Sequence, residues 1–472
     1  MALASNEALQ PQGVAATCSN PVVVIGGGLA GSEAALQLAK RDISVRLYEM
    51  RPSVQTVVHK TEYFAELVCS NSLKSTKPES AAGMLKAELK QLDSSLYYFA
   101  CEHAVAAGGA LAVDREAFAR AITQAIESNP LIEVHHEEVD DIAHIAKDAS
   151  AVILATGPLT SDKLAAQLQE FTGVEHMAFY DAAAPIVMAD SLDFDKLFIQ
   201  SRYEDATENN VGDYVNAPFT QEEYDAFIDE LVAADRVIAK SFETKELFSA
   251  CQPIEEIARK GHDAPRFGTL KPVGLTDPRT GRRPWAVLQL RSEDRERQSY
   301  NLVGFQTNLT FGEQKRIFRM IPGLENAEFA RFGVMHRNTF VNAPKLLDRS
   351  LRLVTPQASK LGVPLFVAGQ LGGTEGYVEA IRSGLHAAIE VSAYLCQIET
   401  PSVPKTMAFG ALLAYATDEA TADYQPMHVN FGIIEPLETR IKNKGERYRA
   451  YACRGSDACE KYCEELQKLG LL

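Results

Sequence analysis

No stretch of 18 consecutive apolar residues occurs in the chain, which excludes a hydrophobic membrane-spanning helix. The first twenty residues hold no Lys or Arg and no continuous apolar core, so neither a secretory signal nor a basic transit peptide is expected, and a cytoplasmic location is. Cysteine is sparse and irregularly placed, at positions 18, 69, 101, 251, 396, 453, 459 and 463, with no C-x-x-C pair. That pattern argues for reduced thiols and against a disulfide framework, a zinc site or a close redox dithiol. Positive charge is also short: 47 Lys and Arg face 63 Asp and Glu, a net charge of −16. Nucleic acid is therefore not bound by bulk attraction, and an RNA partner must meet a local basic patch. Internal repeats and low-complexity tracts are missing, which excludes a solenoid.

What is present begins with Pro21-Val22-Val23-Val24-Ile25, an apolar strand that runs into Gly26-Gly27-Gly28-Leu29-Ala30-Gly31 and then a helix-forming run from Ser32 to Arg41. Strand, G-x-G-x-x-G and helix in that order make a cradle for a dinucleotide phosphate. Gly26 permits the tight turn, Gly28 admits the pyrophosphate to the backbone, and Gly31 lets helix and strand pack closely. An acid should follow about 20 residues on, to bind a ribose hydroxyl. Glu49 stands 18 residues after Gly31, at the end of Ile43-Ser44-Val45-Arg46-Leu47-Tyr48.

At 472 residues the chain exceeds one comfortable core, so a second domain or a large insertion is expected. Residues 1–19 read as a flexible lead-in and 20–177 as the first part of the nucleotide-binding domain. A helix is expected over Ala81 to Phe99, strands at Leu111 to Val113 and Ile132 to His135, and a buried strand at Ala151-Val152-Ile153-Leu154 ended by Thr156-Gly157. From 178 to 345 the composition shifts toward aromatics, acids and turn formers, with a helical stretch over Gln221 to Ser241, and this reads as an inserted substrate domain. Residues 346–400 return to the nucleotide-binding domain. There Pro364 to Ala368 forms a strand, Gly369-Gln370 opens a glycine-rich turn ending at Gly376, and a helix runs from Tyr377 to Leu395. This second turn is expected to aim another helix N-terminus at the cofactor. Residues 401–472 form a helical tail.

Two thiols stand near predicted ring-side loops. Cys69 lies in a polar turn after the second strand, and Cys251 precedes Pro253-Ile254-Glu255-Glu256, a helix-start pattern that favours thiolate. Cys18, Cys101 and Cys396 are read as small buried hydrophobes, and Cys453, Cys459 and Cys463 as part of a solvent-exposed charged helix. His336, beside Arg337, is the histidine with the most cofactor-like neighbours. Basic residues gather in three groups: Lys271, Arg279, Arg282, Arg283 and Arg291; Lys315, Arg316 and Arg319; and Arg440, Lys442, Lys444, Arg447 and Arg449. Each is by default a solvated face, and each is a candidate phosphate contact.

The chain resembles the folate- and flavin-dependent tRNA (uracil-5-)-methyltransferases of bacteria, relatives of the larger GidA flavoproteins. The likeness runs from Val22 to about Arg449. It is carried most specifically by Ala65-Glu66-Leu67-Val68-Cys69-Ser70-Asn71-Ser72, Thr269-Leu270-Lys271-Pro272-Val273-Gly274-Leu275, Tyr300-Asn301-Leu302-Val303-Gly304-Phe305-Gln306-Thr307 and Gly333-Val334-Met335-His336-Arg337-Asn338-Thr339-Phe340. Ser249-Ala250 before Cys251 and Gln252 after it depart from the family pattern. The resemblance implies an α/β fold, a Rossmann-like FAD-binding domain of glutathione-reductase type with a large inserted α+β domain. It also implies FAD, methylenetetrahydrofolate, and NADPH or NADH as reductant. The implied substrate is the T-loop uridine at tRNA position 54, with a ribosomal RNA uridine or a flavin dithiol reaction as alternatives. Cys251 takes the role of nucleophile and Cys69 that of a second thiol. His336 and Arg337 are placed beside the flavin, and Gly157, Gly369, Gln370 and Gly376 complete the cofactor contacts.

Overall fold

The computed structural model describes residues 20–56, 58–173, 177–203, 212–237, 252–421 and 424–472, without the side chains of 177–182 and 335–337. Five short strands rich in Val, Ile, Leu and Ala form a parallel sheet in the order Leu365–Val367, Ala151–Leu154, Val22–Ile25, Val45–Tyr48, Ile132–His135. Val22–Ile25 and Ala151–Leu154 are buried at every residue, as continuous apolar runs covered on both faces must be. The chain leaves this sheet after Leu154 and returns only at Leu365, although Leu164, Leu168 and Phe340 to Leu353 in that interval still pack into the first core.

Helix Leu29–Ala39 lies against the sheet and against helix Tyr377–Cys396 with no space left over. A Cβ on Gly31 would stand 1.9 Å from the Gly26 carbonyl oxygen, and one on Gly384 would stand 2.1 Å from that of Ala30. All eleven residues of the helix are buried, Glu33 included. Burial raises the Glu33 pKa, and the carboxylate is compensated by accepting from the Ser95 and Leu96 amides, orphan donors in the first turn of helix Ser95–Glu102.

The second lobe is an antiparallel six-stranded sheet in the order Phe198–Ile199, Tyr214–Phe219, Ala286–Ser292, Ser299–Leu302, Ile186–Met188, Phe329–Arg331. It has its own core, in which Phe219, Phe227, Phe305 and Phe318 pack together. A ribbon of Met177–Ala182 paired with Met335–Phe340 carries the chain out and back. The architecture is the α/β fold that the sequence predicts, a parallel sheet with a large α+β insertion.

Several local expectations need correction. The helix expected over 81–99 is two, Ala81–Gln91 and Ser95–Glu102, broken where Asp93 takes a left-handed φ of 53° and Ser94 caps the Tyr97 amide. The helix beginning at Gln221 is fixed by a Thr220–Glu223 capping box but stops at Ala233, because Asp235 and Arg236 instead bond to the stretch around Leu309 and Thr310. Cys101 is exposed at a helix end, not buried. The tail helix Lys444–Lys468 is charged, yet Tyr451, Gly455, Cys459, Tyr462, Cys463 and Leu466 make one inward stripe at three- and four-residue spacing. Cys459 and Cys463 are therefore buried, with the Cys463 Sγ donating to the Gln91 carbonyl at 3.7 Å. Cys18 lies outside the described residues.

Candidate functional site

A cleft of about 330 Å³ opens above the C-terminal ends of the parallel strands, where ligands of such sheets bind. Its floor is backbone: Gly28, Leu29 and Ala30 from the first turn, Ala155 to Leu159 from the second, and Gly369, Gln370 and Gly376 from the third. Gly26 has φ +104°, and a Cβ there would lie 2.6 Å from the Ala155 oxygen. Gly28 is the opposite case, because no atom lies within 4 Å of where its Cβ would stand. Its main chain faces the cleft directly, where the sequence places the pyrophosphate.

Two helix N-termini meet here, Leu29–Ala39 after Gly28 and Tyr377–Cys396 after Gly376. Neither has a side-chain cap, so their first amides are left to an anion at the positive ends of both helix dipoles. Gly376, at φ +116°, allows the chain to enter the second helix at this angle.

A narrower extension continues past Gly28 and is lined by Gly26, Tyr48, Glu49, Arg51 and Glu138. Glu49 caps the end of Val45–Tyr48, where the ribose acid is expected. One carboxylate oxygen accepts from the Gly27 amide at 2.8 Å, and the other accepts from the Arg51 amide and Nε at 3.1 and 2.9 Å. Burial alone would raise the Glu49 pKa, but the hydrogen bonds and charge of Arg51 together with the Gly27 amide hold it below the usual carboxylate range. It stays an anionic acceptor. Gly27 and Gly31 serve packing instead, since a Cβ on Gly27 would meet Phe64 at 2.3 Å.

Cys69 lines the same cleft. The Cys69 and Ser70 amides donate to Tyr377 Oη at 2.8 and 3.2 Å, tying the thiol turn to the start of the long helix. Around it stand groups that the sequence reading did not single out: His59, Glu66, Lys74, Gln306, Glu379 and His428. Burial, with the charge of Arg51, lowers the His59 pKa to about 4, so its imidazole is neutral near pH 7. Glu379, 1% exposed, accepts from the Val429 amide and pairs with Lys74 Nζ at 3.5 Å. Lys74, Glu379 and His428 come from three distant segments, and no spacing in the sequence announces them.

Cys251 lies outside the described residues, and the described chain on its two sides bonds to the stretch Gln306–Asn308. Val237 donates its amide to the Asn308 carbonyl and Ile254 to that of Gln306, and Gln306 is itself a lining residue. His336 and Arg337 sit in the ribbon strand, in register with Asp181 and Tyr180, with their side chains outside the described residues. The basic groups are partly spent on structure. Arg291 is buried and donates to Asn71 Oδ1, Arg279 pairs with Asp277, Arg316 with Glu313 and Glu230, and Arg319 donates to the Ala327 carbonyl. Among the described residues, no group of metal-ligating side chains is present.

Residues 21–399 match the family described as glucose inhibited division protein A. The solved structure of Aquifex aeolicus GidA in its form II crystal superposes with a TM-score of 0.66 at 16% identity, over 96% of this chain and 74% of that one, which shows the shared fold. The protein of Desulforamulus reducens named Methylenetetrahydrofolate--tRNA-(uracil-5-)-methyltransferase TrmFO is 50% identical over 94% of this chain and 98% of its own length. Its namesake from Bacillus licheniformis is 48% identical over 94% and 99%. Identity at that level along both chains, joined to a dinucleotide cleft with a cysteine in its wall, leads to one assignment: the chain belongs to the TrmFO family.

Proposed function

We propose that the protein is a tRNA (uracil-5-)-methyltransferase that binds FAD in the glycine-floored cleft and takes its one-carbon unit from methylenetetrahydrofolate. The observation that carries this reading is the meeting of two uncapped helix N-termini, the Glu49 carboxylate and Cys69 around one cavity, in a chain half identical to proteins named for that reaction. The target is the T-loop uridine at position 54, and NADH or NADPH is the reductant.

FAD, when bound and reduced, supplies one-carbon carriage and the electrons that complete the methyl group. The chain's own residues do the rest. Gly26, Gly28, Gly157, Gly369 and Gly376 bring backbone to the dinucleotide, and Glu49 holds its ribose. Leu29, Ala30 and Gln370 shape the walls.

Uracil C5 is a poor nucleophile until a sulfur adds at C6. Cys251 forms that S–C6 bond, and the C5=C6 electron pair moves onto the C4 carbonyl as an enolate. C5 then attacks the electrophilic methylene. Cys69 takes the C5 proton as the methylene's bond to its carrier nitrogen breaks, and a hydride that reduced FAD would supply to that methylene completes the methyl group as the S–C6 bond breaks and the ring double bond returns. The anchoring of Val237 and Ile254 beside Gln306 supports Cys251 in this role. Among the described residues Cys69 is the one cysteine in the cleft wall, and Cys101, the next cysteine along the chain, is exposed on a helix end.

The reading is tested by incubating flavin-loaded protein with labelled methylenetetrahydrofolate, NADH or NADPH, and unmodified tRNA and ribosomal RNA transcripts, then mapping the label. Label on C5 of the T-loop uridine is the expected result. Label confined to ribosomal RNA, or none in either, overturns the substrate.

A further inference from the structure

The turn Leu67-Val68-Cys69-Ser70-Asn71 is held by side chains from four separate elements. Arg115, at the start of helix Arg115–Glu127, donates to the Leu67 carbonyl. Arg331, at the end of strand Phe329–Arg331, donates to the Val68 carbonyl and, at 3.1 Å, to that of Val58. Tyr377 accepts from the Cys69 and Ser70 amides. Asn71 donates to the Val113 and Ser292 carbonyls and accepts from Arg291. The nucleotide lobe supplies Arg115 and Tyr377, and the inserted lobe supplies Arg331 and Arg291. The backbone on both sides of the thiol is thereby fixed.

The two arginines that bond the Leu67 and Val68 carbonyls differ in their counter-charge. Arg115 is paired with Glu293 at 2.8 Å. Arg331 is 9% exposed, and among the described residues it forms no ion pair with a carboxylate. A buried cation without an anion is costly, and the expense is recovered only if something negative stands near it. Burial lowers the Arg331 pKa and Arg115 adds to that, while Cys69, Tyr377 and Glu66 work in the opposite direction. Cys69 likewise favours the charged form of Arg115. Among the described residues, Arg115 with Glu293, Arg331 and Tyr377 act on the sulfur electrostatically, and His59 and Glu66 line the same cleft wall. Glu66 is already engaged by Arg51 and by the Lys60 and Thr61 amides.

We propose that Arg331 and Arg115 are positioning residues for Cys69: they hold its turn against the cleft by the two preceding carbonyls, and their charge keeps its sulfur ionised. Arg331 is the stronger contributor because Glu293 offsets Arg115. The proposal deepens the proposed function and rests on reading Cys69 as the second reactive thiol.

The test is alkylation of flavin-loaded, full-length protein by iodoacetamide, followed at the Cys69 peptide by mass spectrometry as pH is raised. The sulfur lone pair forms the new S–C bond as iodide leaves, and the thiol proton goes to solvent, so the rate follows the thiolate fraction. In the wild type the inflection is expected below the ordinary thiol value of about 8.5. Arg331→Gln should raise it by about one unit, with a smaller rise for Arg115→Gln and recovery in Arg331→Lys, which keeps the charge. An inflection that stays put in Arg331→Gln while flavin content holds would overturn the proposal. So would a wild-type inflection at or above the ordinary value, a measurement that needs no variant to fold. Normal methylation by Cys69→Ala would instead sink the catalytic role of Cys69, leaving the alkylation result to judge the clamp by itself.

Discussion

The parallel sheet and the antiparallel sheet contribute to the cleft in different ways. The first brings backbone: three turns after its strands present Gly28, Gly157 and Gly376 to the cavity, and two helices start there without side-chain caps. The second brings side chains and an anchoring strip: Arg331 reaches back to Val58 and Val68, Arg291 to Asn71, and the stretch Gln306–Asn308 holds both approaches to the Cys251 segment. Backbone amides and dipoles recognise what every dinucleotide shares, whereas converging side chains from two lobes set the reactivity of one sulfur.

A pair of valine substitutions sharpens the contrast within the first lobe and carries the largest expected effect. Gly31→Val drives a side chain into the Gly26 carbonyl, at a cost of about 3 kcal/mol, and should lower yield and Tm sharply. A Cβ on Gly28 has no protein atom within 4 Å, so Gly28→Val should fold and melt as an apoprotein does while losing FAD, read from flavin absorbance per chain. Full flavin occupancy in Gly28→Val would break the cradle assignment.

A smaller effect belongs to the second lobe. Glu255, buried beneath the Gln306–Asn308 strip, accepts from the Asn308 amide at 2.6 Å and from Thr307 Oγ1 at 3.0 Å. Burial raises its pKa to about 7, against the opposing pull of those hydrogen bonds. A folded-state pKa above the unfolded value means that the stability it contributes is complete below about pH 4.5 and is lost as pH rises through 7. Glu255→Gln cannot ionise, so the Tm of the wild type minus that of the variant should fall by a few degrees between mildly acidic and mildly alkaline buffer. A constant difference would show that this carboxyl does not titrate there.

The first lobe was legible because its signals are local. Continuous apolar runs mark strands buried on both faces, and the glycines follow at fixed spacing, so the turn at Gly26–Gly31, the acid at Glu49 and the second turn at Gly369–Gly376 could all be read directly. Helix ends were harder: Asp93 and Ser94 break a helix that periodicity alone runs through, and the tail's buried stripe was masked by its charge. The thiol clamp left no trace at all. Tyr377 lies 308 residues from Cys69, and Arg331 lies 263 from Val68. Contacts made across such separations depend on how the lobes close, which residue spacing does not encode. Lys74, Glu379 and His428 escaped notice for the same reason.

The central claim is that an activated sulfur and a bound flavin serve the same pyrimidine. It is tested most directly by Cys251→Ala, assayed beside the wild type for flavin content and for label transfer from methylenetetrahydrofolate to tRNA. Flavin should be retained and transfer should fall to background. Transfer at the wild-type rate by the Cys251→Ala protein would contradict it.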